Sequence, residues 1–129
     1  MSIVYLDSSA IVKLAVDEPE SDALRLALRG RTELVSSALA RTEVTRALLL
    51  EGPDVVERGE AILERIELIR VTDRVLSLAG RLSPPSLRSL DAIHLATAKL
   101  IERVKLFVTY DARLASAARA MKLKVAAPK

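Results

Sequence analysis

Short apolar runs alternate with longer stretches of helical periodicity from one end of the chain to the other. Ile3-Val4-Tyr5-Leu6 is a compact apolar run that stops at the capping residues Asp7-Ser8-Ser9, and a helix follows through Val16. Pro19 breaks the chain, and a second helical stretch runs from Glu20 to Leu28, ahead of Gly30. Glu33 to Ser36 reads as a second strand; Ala38 to Glu51 reads as a helix closed by Gly52-Pro53, and a further helix reaches Ile66. Leu68 to Val71 is a third strand, Asp73 to Leu82 a helix, Pro84-Pro85 a loop, and Ser89 to Glu102 another helix. Leu106 to Thr109 forms a fourth strand, Asp111 to Met121 the last helix, and Lys124 to Ala126 a short fifth strand.

Strands alternating with helices predict an α/β protein, a three-layer α/β/α sandwich around a mainly parallel central sheet of four to five strands. No linker or low-complexity tract interrupts the pattern, and the chain of 129 residues reads as one domain, 1–129. Sheets of this kind place their sites beyond the carboxyl ends of the strands, near a topological switch point. That edge is where chemistry is to be sought.

Composition narrows the chemistry. The chain contains no cysteine, which excludes disulfides and thiolate metal sites and suits a reducing cytoplasm. The segment from Met1 to Asp7 reaches an acid too soon for a signal peptide, and no apolar run approaches the roughly 18 residues of a membrane span. A net charge of +3 is compatible with nucleic acid without demonstrating it.

Four acids sit where the site is expected. Asp7 follows the first strand directly, and Asp111 comes two residues after Thr109 at the end of the fourth. Each also suits a helix N-cap, which is the plain structural reading. Glu43 falls on the helical wheel beside Leu39, Ala47 and Leu50, so its carboxylate is expected inside an apolar stripe. The alternative there is a buried ion pair with Arg46 or Arg41. Asp91 shares a face with Leu95 and Ala98, although an acid near a helix start also gains about 0.3–1 kcal/mol from the helix dipole. Carboxylates converging on one pocket repel one another, and a divalent cation reverses that cost. Oxygen donors, without cysteine and with a single histidine, favour Mg²⁺ or Mn²⁺ over zinc.

The segments Val4-Tyr-Leu-Asp7-Ser-Ser-Ala, Thr42-Glu43, Ser89-Leu-Asp91-Ala-Ile-His94-Leu-Ala and Phe107-Val-Thr109-Tyr-Asp111-Ala-Arg-Leu resemble the four acidic blocks of the PIN domain. More narrowly, the chain resembles the VapC toxins of VapBC toxin–antitoxin pairs, over nearly its whole length. The resemblance implies that Asp7, Glu43, Asp91 and Asp111 are metal-binding acids, with Ser8 and Thr109 as the accompanying hydroxyls. It also implies a Mg²⁺-dependent endoribonuclease acting on single-stranded or structured RNA, a dimer, and neutralisation by a cognate antitoxin protein.

Other residues are assigned more modest parts. His94 stands three residues after Asp91; a metal or proton-transfer role is conceivable, but its apolar neighbours favour a packed or hydrogen-bonding one. Val71-Thr72-Asp73-Arg74 imitates the Thr109 corner and is assigned to capping, while Asp17-Glu18-Pro19-Glu20 reads as a solvated loop. Arg88 and Arg113 are candidates for RNA phosphates, beside the reading as ordinary surface arginines. With so few aromatic residues there is no base-stacking platform. Two alternatives belong to other classes: a phospho-accepting receiver-like domain, and a non-catalytic RNA- or protein-binding module of the same fold. A receiver needs paired acids after its first strand, where this chain has Asp7 alone.

Overall fold

The computed structural model describes residues 2–31 and 33–129. Five strands form one parallel sheet, in the order β3-β2-β1-β4-β5. They are β1 (Ile3–Leu6), β2 (Glu33–Ser37), β3 (Glu67–Ile69), β4 (Val104–Val108) and β5 (Val125–Ala126). The helices are α1 (Ser8–Ala15), α2 (Ser21–Leu28), α3 (Ala40–Leu48), α4 (Pro53–Leu63), α5 (Asp73–Ala79), α6 (Ser89–Ile101) and α7 (Ala112–Ala120).

Two aliphatic cores lie on opposite faces of the sheet, because successive strand side chains point to opposite sides. Val4 and Leu6 of β1 and Val108 of β4 meet α1, α2, α3 and α4 through Ile11, Leu24, Val44 and Leu63. Tyr5, Val35 and Phe107 face the other way, onto Leu95 of α6 and Leu114 of α7. The three-layer sandwich with a parallel sheet is therefore the observed architecture. Several boundaries move inward by two to three residues at helix ends, where backbone carbonyls lack partners and the last turn frays or tightens. The stretch to Glu51 is the clearest case: α3 ends at Leu48 and the chain tightens into a 3₁₀ turn over Leu49–Glu51. The third strand ends at Ile69, two residues earlier than its apolar run suggests, and its last bond to the neighbouring strand's end is from Ala38 N–H to Ile69 O at 2.8 Å.

Strand order reverses at β1, with β2 on one side and β4 on the other. The gap beyond the carboxyl ends of β1 and β4 is thus the switch point, and three hydrogen bonds close its base. Asp7 N–H donates to Val108 O at 3.1 Å, Thr109 Oγ1 to Asp7 Oδ2 at 2.5 Å, and Tyr110 N–H to Ser9 Oγ at 3.0 Å. On the first face, α3 lies close against α4. Gly59 permits this, since a Cβ there would strike Leu48 Cδ1. No described helix is long and apolar enough to cross a membrane.

Candidate active site

Asp7 is 3% exposed and is the N-cap of α1. Its Oδ1 accepts from Ser9 Oγ at 2.6 Å and Ala10 N–H at 3.0 Å, and its Oδ2 accepts from Thr109. Burial pushes its carboxyl above the usual range, while Ser9, Thr109, Ala10 and His94 pull the other way. Asp111 caps α7 in the same manner, its Oδ1 accepting from Arg113 N–H at 2.9 Å and Leu114 N–H at 3.1 Å. Thr109 is buried between the two acids: it donates to Asp7 and accepts from Asp111 N–H at 3.0 Å. The capping reading is the observed one for both acids, and the caps fix Oδ1 of each at the sheet edge.

Glu43 is half-buried, but not for the reason the helical wheel suggests. The buried stripe of α3 is Ala40, Val44 and Leu48, whereas Ala47 is exposed and Leu50 is 95% exposed. Leu50 lies past the helix, in the 3₁₀ turn, where the 100° step no longer applies. Neither Arg41 nor Arg46 is its partner; both are exposed. Glu43 Oε1 instead meets His94 Nε2 at 2.7 Å and accepts from Ser8 Oγ at 2.6 Å. Burial raises its pKa, but the His94 and Ser8 hydrogen bonds outweigh that and hold the carboxyl below its usual range.

Asp91 occupies the first turn of α6. Burial and then the charges of Asp111, Asp7 and Glu43 push its carboxyl up, against a smaller opposite effect of His94. Acids from three other segments thus lie near enough to Asp91 for their charges to bear on it. A cleft of about 620 Å³ opens beside them, lined by Arg88, Asp91, Asp111 and Arg113 among others, so both arginine candidates border the same space as two of the acids.

Hard oxygen donors that repel one another suit a divalent cation, and the donor set fits Mg²⁺ or Mn²⁺. As the side chains stand, no three Asp, Glu or His groups among the described residues converge as one ion-binding cage. The fit is one of donor chemistry and shared charge.

His94, 2% exposed, is a hydrogen-bonding residue, as its apolar neighbours suggested. Its partnership with Glu43 was missed by the sequence reading, as was the hold of Ser9 on Asp7; the Asp-x-Ser spacing was the available signal for the latter. The acidic loop is solvated and paired, with Glu18 and Glu20 on Lys13 and Asp17 on Arg25. Asp73 lies exposed at the start of α5.

Residues 4–120 match the PIN domain family. Over 129 residues the chain is 56% identical to ribonuclease VapC46 of Mycobacterium tuberculosis, covering 99% of both chains. The chain belongs to the VapC group of PIN domains. Among solved structures, this VapC chain superposes on Mycobacterium tuberculosis VapC20, a sarcin-ricin loop cleaving toxin, with a TM-score of 0.74 at 16% identity, covering 88% of this chain and 94% of that one. It likewise superposes on a chain of a toxin–antitoxin complex from Klebsiella pneumoniae, with a TM-score of 0.72 at 19% identity, covering 99% and 98%. Membership in the PIN family removes the receiver-domain alternative.

Proposed function

We propose that this VapC chain is a metal-dependent endoribonuclease that cleaves single-stranded or structured RNA as the toxin of a toxin–antitoxin pair. One observation carries the reading: Thr109 ties Asp7 to Asp111 at the carboxyl edge of the sheet, and Asp111 lines one cleft with Asp91, Arg88 and Arg113. The names of the relatives support it, one being a ribonuclease and one a toxin that cleaves the sarcin-ricin loop.

Asp7, Asp91 and Asp111 would hold Mg²⁺, with Mn²⁺ as substitute, and Glu43 would hold it directly or through water. When bound, the ion supplies a lowered pKa for water and countercharge for the phosphate. The chain's own residues do the rest. Ser9, Thr109 and the α1 backbone fix Asp7, and the α7 backbone fixes Asp111. Glu43, hydrogen-bonded at Oε1 by His94 and Ser8, would bind the ion through water or help to deprotonate the attacking water at Oε2. Arg88 and Arg113 meet phosphates flanking the cleaved bond. The same reading includes a homodimer, a cytoplasmic setting and a cognate antitoxin; a neighbouring fold comes from a toxin–antitoxin complex.

The test is RNA cleavage by the purified chain with Mg²⁺ or Mn²⁺, and its loss in EDTA. Magnesium alone should also raise the melting temperature: at tenfold excess over Kd the stabilisation is about 1.4 kcal/mol, roughly 5 °C for a chain this size. Undiminished cleavage in EDTA removes the metal. RNA that binds but is never cut favours the binding-module alternative.

A further inference from the structure

His94 is the single histidine of the chain, is almost fully buried, and bonds side chains at both ring nitrogens, Glu43 and Ser8 at the site and Tyr5 in the core. Nε2 lies 2.7 Å from Glu43 Oε1 and 3.1 Å from Ser8 Oγ; Nδ1 lies 2.7 Å from the Tyr5 hydroxyl. It spans two layers, standing on α6 and reaching Glu43 on α3 across the carboxyl edge of the sheet.

The proton positions follow by elimination. Glu43, as a carboxylate, can only accept, so Nε2 carries the hydrogen that points at Oε1. In the neutral ring Nδ1 then accepts from the Tyr5 hydroxyl. Burial keeps that phenol protonated, well above its ordinary range. Tyr5 is itself fixed: its ring stacks on Phe107, its register partner on β4, with centroids 5.1 Å apart and planes 1° from parallel. Glu43 Oε1 thus receives two hydrogen bonds, from His94 and Ser8.

We propose that His94, held by Tyr5, is the positioning residue for Glu43, clamping Oε1 so that Oε2 remains for the metal or its water. The effect on catalysis rests on the nuclease reading above, whereas the clamp itself does not. Outer partners of this kind, when removed, cost about 10–100-fold in metal affinity or activity. A disordered Glu43 should slow the chemical step more than it weakens RNA binding, so kcat falls while KM changes little.

The experiment uses four variants of the full chain. His94→Leu removes the donor, His94→Gln keeps an N–H at similar reach, Tyr5→Phe removes only the hydroxyl, and Glu43→Gln removes the acceptor. In metal-free wild type, the one histidine ring should show its proton on Nε2, slowed in exchange by ¹⁵N NMR, with that protection lost in Glu43→Gln. Mn²⁺ alone, titrated by thermal melts, should bind His94→Leu about 10–100-fold more weakly. With RNA, His94→Leu should lose kcat by about the same factor and His94→Gln should recover most of it. In a Glu43→Gln background, His94→Leu should cause no further loss. A ring proton on Nδ1 with none on Nε2, or His94→Gln no better than His94→Leu, or losses that multiply with Glu43→Gln, would overturn the proposal. If His94→Leu does not fold, His94→Gln and Tyr5→Phe carry the comparison. A wild type that neither cleaves RNA nor responds to Mn²⁺ sinks the nuclease reading, and the NMR measurement still decides the clamp.

Discussion

Two strand-to-helix corners of this chain are written in nearly the same letters, Val71-Thr72-Asp73-Arg74 after β3 and Val108-Thr109-Tyr110-Asp111 after β4. At the first, Thr72 is the N-cap: its Oγ1 accepts from Val75 N–H at 3.2 Å, and both Thr72 and Asp73 are exposed. At the second, Tyr110 intervenes, and the cap passes from the threonine to Asp111. Thr109, released from capping, is buried and donates to Asp7 instead. The inserted tyrosine is tied down by its hydroxyl, which donates to Pro128 O at 2.8 Å, and by Lys13 Nζ, 4.9 Å from its ring centre. Position in the sheet adds to the difference, since β3 is an edge strand and β4 pairs with β1 at the switch point. A capping acid gains chemistry from what lies beside it.

The largest effect expected from this contrast is on cleavage. Asp111→Asn, like Asp7→Asn and Asp91→Asn, should lower kcat/KM by more than the 10–100-fold typical of outer-partner changes. Asp73→Asn should leave it within about twofold, as is usual for a surface position away from the chemistry. Cleavage assays at fixed Mg²⁺ on the paired variants decide the matter. An Asp73→Asn enzyme as impaired as Asp111→Asn would make the two corners equivalent.

The one-residue difference in spacing can be read from the sequence, whereas the strand order that sets the two corners apart cannot. Period-2 and period-3.6 patterns were enough for the alternating elements, because each face of this parallel sheet is covered by helices with clear apolar stripes. What could not be read depends on distances along the chain that no local pattern spans. Glu43 and His94 are 51 residues apart, so the wheel proposed arginine partners on the helix of Glu43 itself. The wheel also presumed a regular helix through Leu50, while the turn at Leu49–Glu51 swings that leucine outward. Likewise, Ser8 was visible as a hydroxyl beside Asp7, but it is Glu43 that it binds.

The two threonines offer a contrast of intermediate size. Thr109→Val keeps the shape, yet removes the donor to Asp7 Oδ2 and the acceptor for Asp111 N–H. Cleavage should fall by about 10–100-fold, the range for outer partners of metal-binding groups. Thr72→Val removes a helix cap and should cost about 1 kcal/mol of stability, with cleavage unchanged. Denaturant melts and cleavage rates measured side by side would separate the two. If Thr109→Val cut RNA at the wild-type rate, the bond from Thr109 would be no more than part of the packing.

The smallest effect is the most discriminating, because it needs neither metal nor RNA. Asp73 and Asp91 both lie in the first turn of a helix, where a negative charge gains about 0.3–1 kcal/mol from the dipole. For Asp73→Asn that gain should simply be lost. For Asp91 it competes with burial and with the charges of Asp111, Asp7 and Glu43, which together push its carboxyl up. A carboxyl with a raised folded-state pKa contributes stability that is complete below the unfolded pKa and disappears as pH rises through the folded one. Asp91→Asn should therefore match wild type in mild acid, near the ordinary aspartate range, and become equally or more stable as pH rises to neutrality. Thermal melts in EDTA at low salt, at pH values from about 4 to 8, spanning the ordinary aspartate pKa, read both variants. A destabilised Asp91→Asn at neutral pH, parallel to Asp73→Asn, would mean that the dipole outweighs the repulsion. In that case the four acids do not share a field strong enough to call for a cation.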